Sequence, residues 1–205
     1  MFMDYVFVEP LSMTSMFVLF IAFLVLLVYL TYLFIRRAKI SSLKKIPTAF
    51  IIGYPNSGKS FILKELCKCK ENFDKILNIN YFDVMHDGIS KSKILDHQGF
   101  FSRDGKINHD IIDELKAIEP QYIISIIDVS PFSEPIENQI NFVTEVNKKF
   151  KGKKIFLVAN KIDKSSKNKL NKIKGVFGNN FYEIRSNNLS DIKKLREDLI
   201  RFLKV

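Results

Sequence analysis

The segment from Gly53 to Ser60, GYPNSGKS, has the residue types and spacing that bind phosphate. It follows an apolar run at 49–52 and precedes apolar residues at helical spacing, so we predict a strand, a glycine-containing loop and a helix. Glycines at both ends let backbone N–H groups wrap around an oxyanion, and the helix N-terminus adds a favourable dipole. In such a loop Lys59 reaches the terminal phosphates and Ser60 ligates Mg²⁺.

A chance glycine turn before a helix is the alternative, but it would not fill all four fixed positions in this context. We therefore predict a nucleotide-phosphate site, in which Lys59 also contributes to catalysis. The residues predicted to bind the nucleotide here are Gly53, Asn56, Ser57, Gly58, Lys59, Ser60 and Phe61.

The base is indicated by Asn160-Lys161-Ile162-Asp163, which follows a second apolar run. A carboxylate at Asp163 accepts hydrogen bonds from both N1 and the exocyclic N2 of guanine, a donor pair that adenine lacks. Asn160 can bond the other ring edge and tie back to the phosphate loop, while the stem of Lys161 stacks on the ring. The pattern also arises by chance in lysine-rich chains, but its place after a buried strand favours a guanine site.

On these motifs, residues 48–205 resemble the small GTPases of the Ras and Arf type. Asp96-His97-Gln98-Gly99 fits that family's Asp-x-x-Gly element. The resemblance implies that Asp96 holds Mg²⁺ through water and that the Gly99 N–H contacts the γ-phosphate as a catalytic group. Ser186 and Asn187 occupy the place of the final base-contacting loop, although Ser186-Asn187-Asn188 departs from the family's usual pattern. Bound GTP or GDP with Mg²⁺ is the cofactor set implied.

Two departures from the family concern catalysis. No threonine occurs between Thr48 and Thr144, and Asn78 or Asn80 lies nearest to the place of the family's first-switch threonine. The family's catalytic glutamine position holds Phe100, which cannot orient water. His97 could act as a base or be structural. We therefore expect slow intrinsic hydrolysis that needs groups from a partner.

An apolar segment precedes the GTPase-like part. Met16 to Ile35 is 20 residues without a charge, about 30 Å as a helix, which matches a bilayer core. A signal peptide would have a basic start and a shorter apolar run, and a buried globular helix would show a polar face. We predict a lumenal tail (1–15), a membrane-spanning helix (16–35), a basic linker (36–45) and a cytosolic GTPase domain (46–205), the orientation following the positive-inside rule.

The remaining pattern alternates strands and helices, which predicts an α/β fold with a doubly wound, mainly parallel sheet of the P-loop small-GTPase type. We expect an edge strand at 79–85 and a last helix capped by Ser190. Further strands are expected at 49–52, 122–128, 155–159 and 181–184, and further helices at 60–70, 108–118, 135–150 and 165–174.

All 32 Lys and Arg lie after residue 35 with 20 acidic residues, so that part carries about +12. This charge suits an anionic membrane face or a ribonucleoprotein partner, although a plain solvated basic surface is as compatible. No recognition motif accompanies the scattered lysines, and we predict no direct nucleic-acid binding. Cys67 and Cys69 have no second cluster beside them, which disfavours a zinc site.

A membrane span joined directly to a GTPase domain resembles the β-subunit family of signal recognition particle receptors. The resemblance implies an endoplasmic reticulum protein whose GTP form recruits the receptor α subunit, and through it the signal recognition particle and the ribosome. A membrane-tethered Arf-like GTPase of another trafficking pathway is the alternative. A P-loop ATPase, a nucleotide kinase or a nucleotide-free scaffold is a third interpretation.

Overall fold

A computed structural model describes residues 13–44, 47–67, 72–74, 79–86, 89–97, 108–165, 167–186 and 188–203. The chain divides into two compact units, Met1–Lys39 and Ile40–Val205. Predictions that fall on residues 98–100, 187 or the turn at 87–88 lie outside the described residues.

The apolar segment belongs to one long helix, α1, which spans Met13–Lys44. It extends beyond the 16–35 expected from the apolar run, because residues 36–44 contain no glycine or proline to end a helix. The segment predicted as a basic linker is therefore helical up to Lys44. The helix is long and apolar enough to cross a membrane, and none of its most apolar window is buried.

The second unit is built on a seven-stranded sheet with the order β2-β3-β4-β1-β5-β6-β7. Its strands are β1 (Thr48–Ile52), β2 (Asn72–Asp74), β3 (Ile79–His86), β4 (Ile89–His97), β5 (Tyr122–Asp128), β6 (Lys154–Asn160) and β7 (Tyr182–Ile184). Strands β4, β1, β5, β6 and β7 are parallel to one another. β3 pairs antiparallel with β4, and β2 pairs antiparallel with β3. The mainly parallel α/β fold predicted from the sequence is confirmed.

One strand prediction is wrong. β3 is not the edge strand, because β2 pairs with its outer side. The three residues of β2 are too few and too polar to carry a period of apolar residues, so the sequence pattern could not reveal them.

Helices cover both faces of the sheet. Alternate strand residues enter two separate cores: Phe50 and Ile52 pack on one side, Ala49 and Ile51 on the other. The first side is covered by α3 (His109–Ile118), α4 (Ile136–Lys149) and α5 (Lys167–Phe177), together with Leu43 near the end of α1. The second is covered by α2 (Lys59–Cys67) and α6 (Leu189–Leu203). A single 3₁₀ turn in the described chain, Ile162–Lys164, follows β6.

One helix cap was predicted, and it is wrong. In α3 the helix predicted at 108–118 begins at His109, and Asn108 is its cap, since its side chain accepts a hydrogen bond from the Asp110 N–H. Ser190 does not cap α6, because that helix already includes it. Asn188 Oδ1 accepts the Ser190 N–H at 3.0 Å instead. The observed cap lies two residues before the predicted one, which is within the usual uncertainty of helix ends.

Candidate nucleotide-binding site

Those predicted site residues that the structure describes converge at one edge of the sheet. β1, β4, β5 and β6 are parallel neighbours, so the loop after Ile52, the end of β4 at His97, Asp128 and Asn160 all lie at the carboxyl ends of their strands. In open α/β sheets this edge forms the ligand crevice. Motifs separated by about 100 residues in sequence are thereby brought into contact, as the bonds below show.

The loop from Gly53 to Gly58 needs its two glycines. Gly58 has φ +94°, and a Cβ there would lie 2.2 Å from Asn160 Nδ2. At Gly53 an added Cβ would meet the Ile126 carbonyl oxygen at 2.6 Å. Both contacts are far inside van der Waals distance, so any other residue would displace the neighbouring strand ends or reshape the loop. The wrapping of the loop around an oxyanion stays a prediction.

Lys59 begins α2 and turns back over the loop. Its Nζ donates to the Gly53 carbonyl at 2.9 Å and to the Tyr54 carbonyl at 2.8 Å. Burial lowers the pKa of the Lys59 ammonium, and the nearby negative charge of Asp96 opposes that shift. A cation held over the loop beside Asp96 is placed for the phosphates that such a loop binds.

The hydroxyl of Ser57 is a second feature that indicates a ligand-binding loop. Ser57 is buried, and its Oγ has no hydrogen-bond partner within the described chain. A buried hydroxyl without a partner is uncommon unless a water or a ligand supplies one. A phosphate oxygen at the mouth of the loop would satisfy it, so the residues present fit a bound phosphate group.

Asn160 connects the base motif to the phosphate loop. Its Nδ2 donates to the Ser57 carbonyl at 2.9 Å, and its Oδ1 accepts the Lys161 N–H at 2.9 Å. Asn160 is 4% exposed, so these bonds are protected from water. The tie predicted from the sequence is confirmed, whereas the bond from Asn160 to a guanine ring stays a prediction.

Lys161 spans the same junction. It adopts φ +62°, in the left-handed region, and its Nζ donates to the Asn56 carbonyl at 2.9 Å and to Asp128 Oδ2 at 2.6 Å. The side chain thereby links the phosphate loop to the end of β5, and the stacking of its stem on a base stays a prediction.

Asp128 was not among the predicted site residues. Its carboxylate is buried and also accepts the Ser130 N–H at 2.9 Å, while Gln139 binds both its backbone N–H and its carbonyl. The sequence shows only that Asp128 ends an apolar run, whereas the structure places it in register with Asn160, the last residue of the adjacent strand. A carboxylate beside the base motif is positioned to hold its lysine.

We expect Asp128→Asn to weaken GTP binding about tenfold. Hydrogen bonds to charged groups contribute about 1.5–3 kcal/mol, and a neutral amide would keep only part of the bond that the Asp128 carboxylate makes with Lys161 Nζ. The shape of the side chain is unchanged, so the melting temperature should move little. Titration of a fluorescent GTP analogue measures the affinity. Glu137→Gln is the matched control, since it neutralises an exposed carboxylate that pairs with Lys172; equal affinities for the two variants would remove Asp128 from the site.

Asp163 lies in the 3₁₀ turn after β6 with its carboxylate exposed. Its Oδ1 accepts the Ser186 N–H at 2.6 Å, and this bond holds the pKa of Asp163 below its usual value. The carboxylate is therefore ionised at neutral pH, as a group that accepts two guanine N–H bonds must be. The structure brings Asp163 and Ser186 together, while Asn187 is outside the described residues.

The Asp-x-x-Gly element is described only in its first half. Asp96 and His97 end β4, and Gly99 lies outside the described residues with Gln98 and Phe100. The His97 side chain is 5% exposed, with Nε2 3.6 Å from Glu114 of α3. Its burial beside α3 favours the structural interpretation of this histidine. Asn80 stands opposite Asp96 in the β3–β4 register, and Asn78 is not described.

The Mg²⁺ prediction rests on Ser60 and Asp96. Within the described residues no group of three or more His, Cys, Asp or Glu could hold a metal ion. Mg²⁺ needs no such group, because it commonly takes one or two protein oxygens and completes its shell with water and substrate phosphates. A hydroxyl beside the phosphate loop and a carboxylate near Lys59 fit that chemistry.

Comparison with known proteins also indicates a GTPase domain. Residues 48–161, more than half of the chain, match the family model described as 50S ribosome-binding GTPase. The uncharacterized protein MJ1408 of Methanocaldococcus jannaschii is 34% identical over 144 residues, which cover 63% of this chain. The chain spans only 38% of the length of that protein.

Solved structures share the fold. Nucleolar GTP-binding protein 1 of Plasmodium falciparum has a TM-score of 0.60 and 23% identity, covering 76% of this chain and 87% of that one. The G domain of the T. maritima FeoB iron transporter has a TM-score of 0.55 and 20% identity, covering 77% and 98%. The GMPPNP form of the FeoB cytosolic domain has a TM-score of 0.52 and 18% identity, covering 78% and 65%.

Proposed function

The chain belongs to the 50S ribosome-binding GTPase family, and on that premise we propose that it is a membrane-anchored switch that binds GTP and GDP and recruits a partner in its GTP form. The observation that carries this proposal is the bond from Asn160 Nδ2 to the Ser57 carbonyl. It joins the motif that would read the base to the loop that would hold the phosphates, so the two act as one nucleotide site.

The chain's own residues perform the binding. Backbone N–H groups of the loop and the start of α2 bind phosphate oxygens, and Lys59 neutralises their charge. Asp163 selects guanine, while Asn160 and Lys161 hold the base motif against the loop. Mg²⁺, when bound through Ser60 and Asp96, supplies charge neutralisation at the phosphates.

Membrane anchoring is supported by α1. Its most apolar window has a mean hydropathy of 2.8, and none of that window is buried. A helix that exposes this much apolar side-chain surface to water would aggregate, whereas a bilayer solvates it. Arg36, Arg37 and Lys39 follow the apolar residues directly, and by the positive-inside rule this supports a GTPase domain on the cytosolic side.

The more specific proposal is a receptor scaffold. The layout of one span followed by a GTPase domain supports a role like that of the signal recognition particle receptor β subunit, at the endoplasmic reticulum membrane, with the receptor α subunit as partner. The ribosome and the signal recognition particle would then be reached indirectly. The alternative from the same layout is a GTPase of another trafficking pathway.

Hydrolysis of GTP is expected to be slow. Phe100 stands where the family places a glutamine that orients water, and even a GTPase with that glutamine turns over at only about 4 × 10⁻⁴ per second without a partner. We expect a single-turnover rate at or below about 10⁻⁴ per second. Release of labelled phosphate from the preloaded chain measures this rate; a rate near one per second would show that another group activates the water.

The two roles are separated with the full chain in lipid nanodiscs, loaded with GTP or GDP. Capture of a purified receptor α-subunit domain only by the GTP form supports the receptor role. Equal or absent capture in both forms, together with hydrolysis accelerated by a cytosolic fraction, favours the trafficking GTPase. Discs loaded with the Lys59→Ala variant provide the nucleotide-free control.

A further inference from the structure

Five lysines lie within seven residues where α4 leads into β6, and no acidic residue interrupts them. All five are exposed in the structure. We call this set the lysine turn; it comprises Lys148, Lys149, Lys151, Lys153 and Lys154. It lies at the amino-terminal edge of the sheet, away from the carboxyl-edge crevice that holds the nucleotide-site residues, so nucleotide binding does not account for it.

The lysine turn has a fixed shape. Phe150 in its middle is 5% exposed and packs against Phe50 of β1 with ring centroids 6.4 Å apart. The Phe150 N–H donates to the Val146 carbonyl at 3.0 Å, and the Lys153 N–H donates to the Phe150 carbonyl at 3.1 Å. The buried ring holds the backbone in place, and the lysine side chains around it are all exposed to solvent.

The helix dipole explains only part of this set. Cations in the last turn of a helix are favoured by its carbonyl ends, which covers Lys148 and Lys149. Lys151 and Lys153 lie beyond the end of α4, and Lys154 begins β6. A structural preference therefore does not account for most of the positive charge.

The turn lies beside the point where the chain enters the sheet. Lys154 pairs with Tyr122, and Tyr122 pairs with Ala49 of the first strand. Neighbouring strands are about 4.8 Å apart, which puts the Lys154 backbone about 10 Å from Ala49. Lys93 is on the same edge, where its N–H donates to the Pro47 carbonyl at 2.9 Å. The positive charge therefore lies at the amino-terminal edge of the sheet, the edge at which the chain enters β1 after α1.

The connection to the apolar segment is short. Ile40 packs against the core of the GTPase unit and Leu43 is 7% exposed within it. Only four residues, Arg36 to Lys39, separate Ile40 from the last apolar residue of the predicted span. Four residues span at most about 14 Å of extended chain, so the tether between a membrane span that ends at Ile35 and the GTPase unit is short.

We propose that the lysine turn docks on anionic lipid headgroups of the membrane that α1 spans, which rests on the membrane anchor proposed above. Clustered lysines near an anionic leaflet are attracted with about a fivefold gain in binding each. An RNA partner is less favoured, because single-stranded RNA is bound through exposed aromatic or arginine planes, and the aromatic residue of this turn is buried.

The proposal is tested by lysine acylation of the full chain in nanodiscs, with mass spectrometry at each lysine. We expect Lys148, Lys149, Lys151 and Lys153 to be labelled at least about threefold more slowly in discs with about 30% phosphatidylserine than in phosphatidylcholine discs. Lys193 and Lys194 in the first turns of α6 should be labelled equally in both. Raising the salt concentration should remove the difference, since headgroup attraction is screened.

Two matched triple variants complete the test. In K149S/K151S/K153S the protection of Lys148 should be lost, and in K167S/K193S/K194S, with the same change in net charge, it should remain. Equal labelling in both disc types overturns the proposal, and protection by added RNA but not by anionic lipid replaces it with a nucleic-acid partner. A chain that fails to enter discs contradicts the membrane anchor alone. In that case flotation of the chain with anionic but not neutral vesicles would still support lipid binding by the lysine turn. No flotation with anionic vesicles would overturn the proposal.

Discussion

Replacing Lys59 with alanine is expected to reduce GTP affinity by at least about a thousandfold, because a charge-assisted contact to the phosphates is lost inside a partly buried site. In the structure Lys59 already binds the Gly53 and Tyr54 carbonyls, so its ammonium is held over the loop before any nucleotide arrives. Isothermal titration with GTP and GDP measures the loss.

The control for this variant lies one turn further along the same helix. Lys64→Ala removes an exposed lysine from α2 and should leave affinity unchanged. Because the Lys59 variant also removes two donors from the loop, its melting temperature must be recorded. A Lys59→Ala protein that is folded and binds GTP within about threefold of the original would exclude Lys59 from the phosphate site.

Asp163→Asn is expected to change the base preference of the site from guanine to xanthine. The amide keeps an oxygen to accept the Ser186 N–H, and its new N–H₂ group can donate to the carbonyl that xanthine carries in place of the guanine amine. Sites that read a base through paired hydrogen bonds discriminate by large factors when one pair is mismatched. We expect the ratio of GTP to XTP affinity to fall by at least about a thousandfold.

Competition between GTP and XTP for a fluorescent nucleotide measures that ratio. Asp191→Asn is the control, because Asp191 binds Arg185 beside Ser186 without belonging to the base motif. It tests whether loosening this loop is sufficient to change base selection. If Asp163→Asn keeps the original preference for GTP, the base is read by another residue.

The motifs of the candidate site could be found in the sequence because each of them is short and local. Residues 53–60 and 160–163 both follow strands that are buried on both faces, and such strands read as continuous apolar runs. Parallel strands bring their carboxyl ends to one edge, so contact between Asn160 and the phosphate loop could be expected without coordinates.

What the sequence did not reveal depends on pairing between strands. β2 is too short to show a period, and only its register with β3 defines it. The role of Asp128 depends on its register with Asn160 in the neighbouring strand and on the left-handed backbone of Lys161. Neither is a property of one local segment, so pattern analysis predicted the strand that ends at Asp128 and missed the function of its last residue.

Helix ends were the least accurate predictions. α1 continues through the basic segment because no residue there stops a helix, and α6 begins before Ser190 because Asn188 is an equally good cap. These differences shift boundaries by a few residues and leave the nucleotide site unchanged. The longer α1 includes Ile40 and Leu43, which pack in the core of the second unit.

The most direct test of the account is competition between guanine and adenine nucleotides for the purified full chain in nanodiscs. We expect GTP and GDP to displace a fluorescent guanine nucleotide, while ATP fails to do so at about a thousandfold higher concentration. Displacement by ATP at a concentration similar to that of GTP, or binding of neither nucleotide, would contradict the assignment of Asp163 and with it the proposed switch.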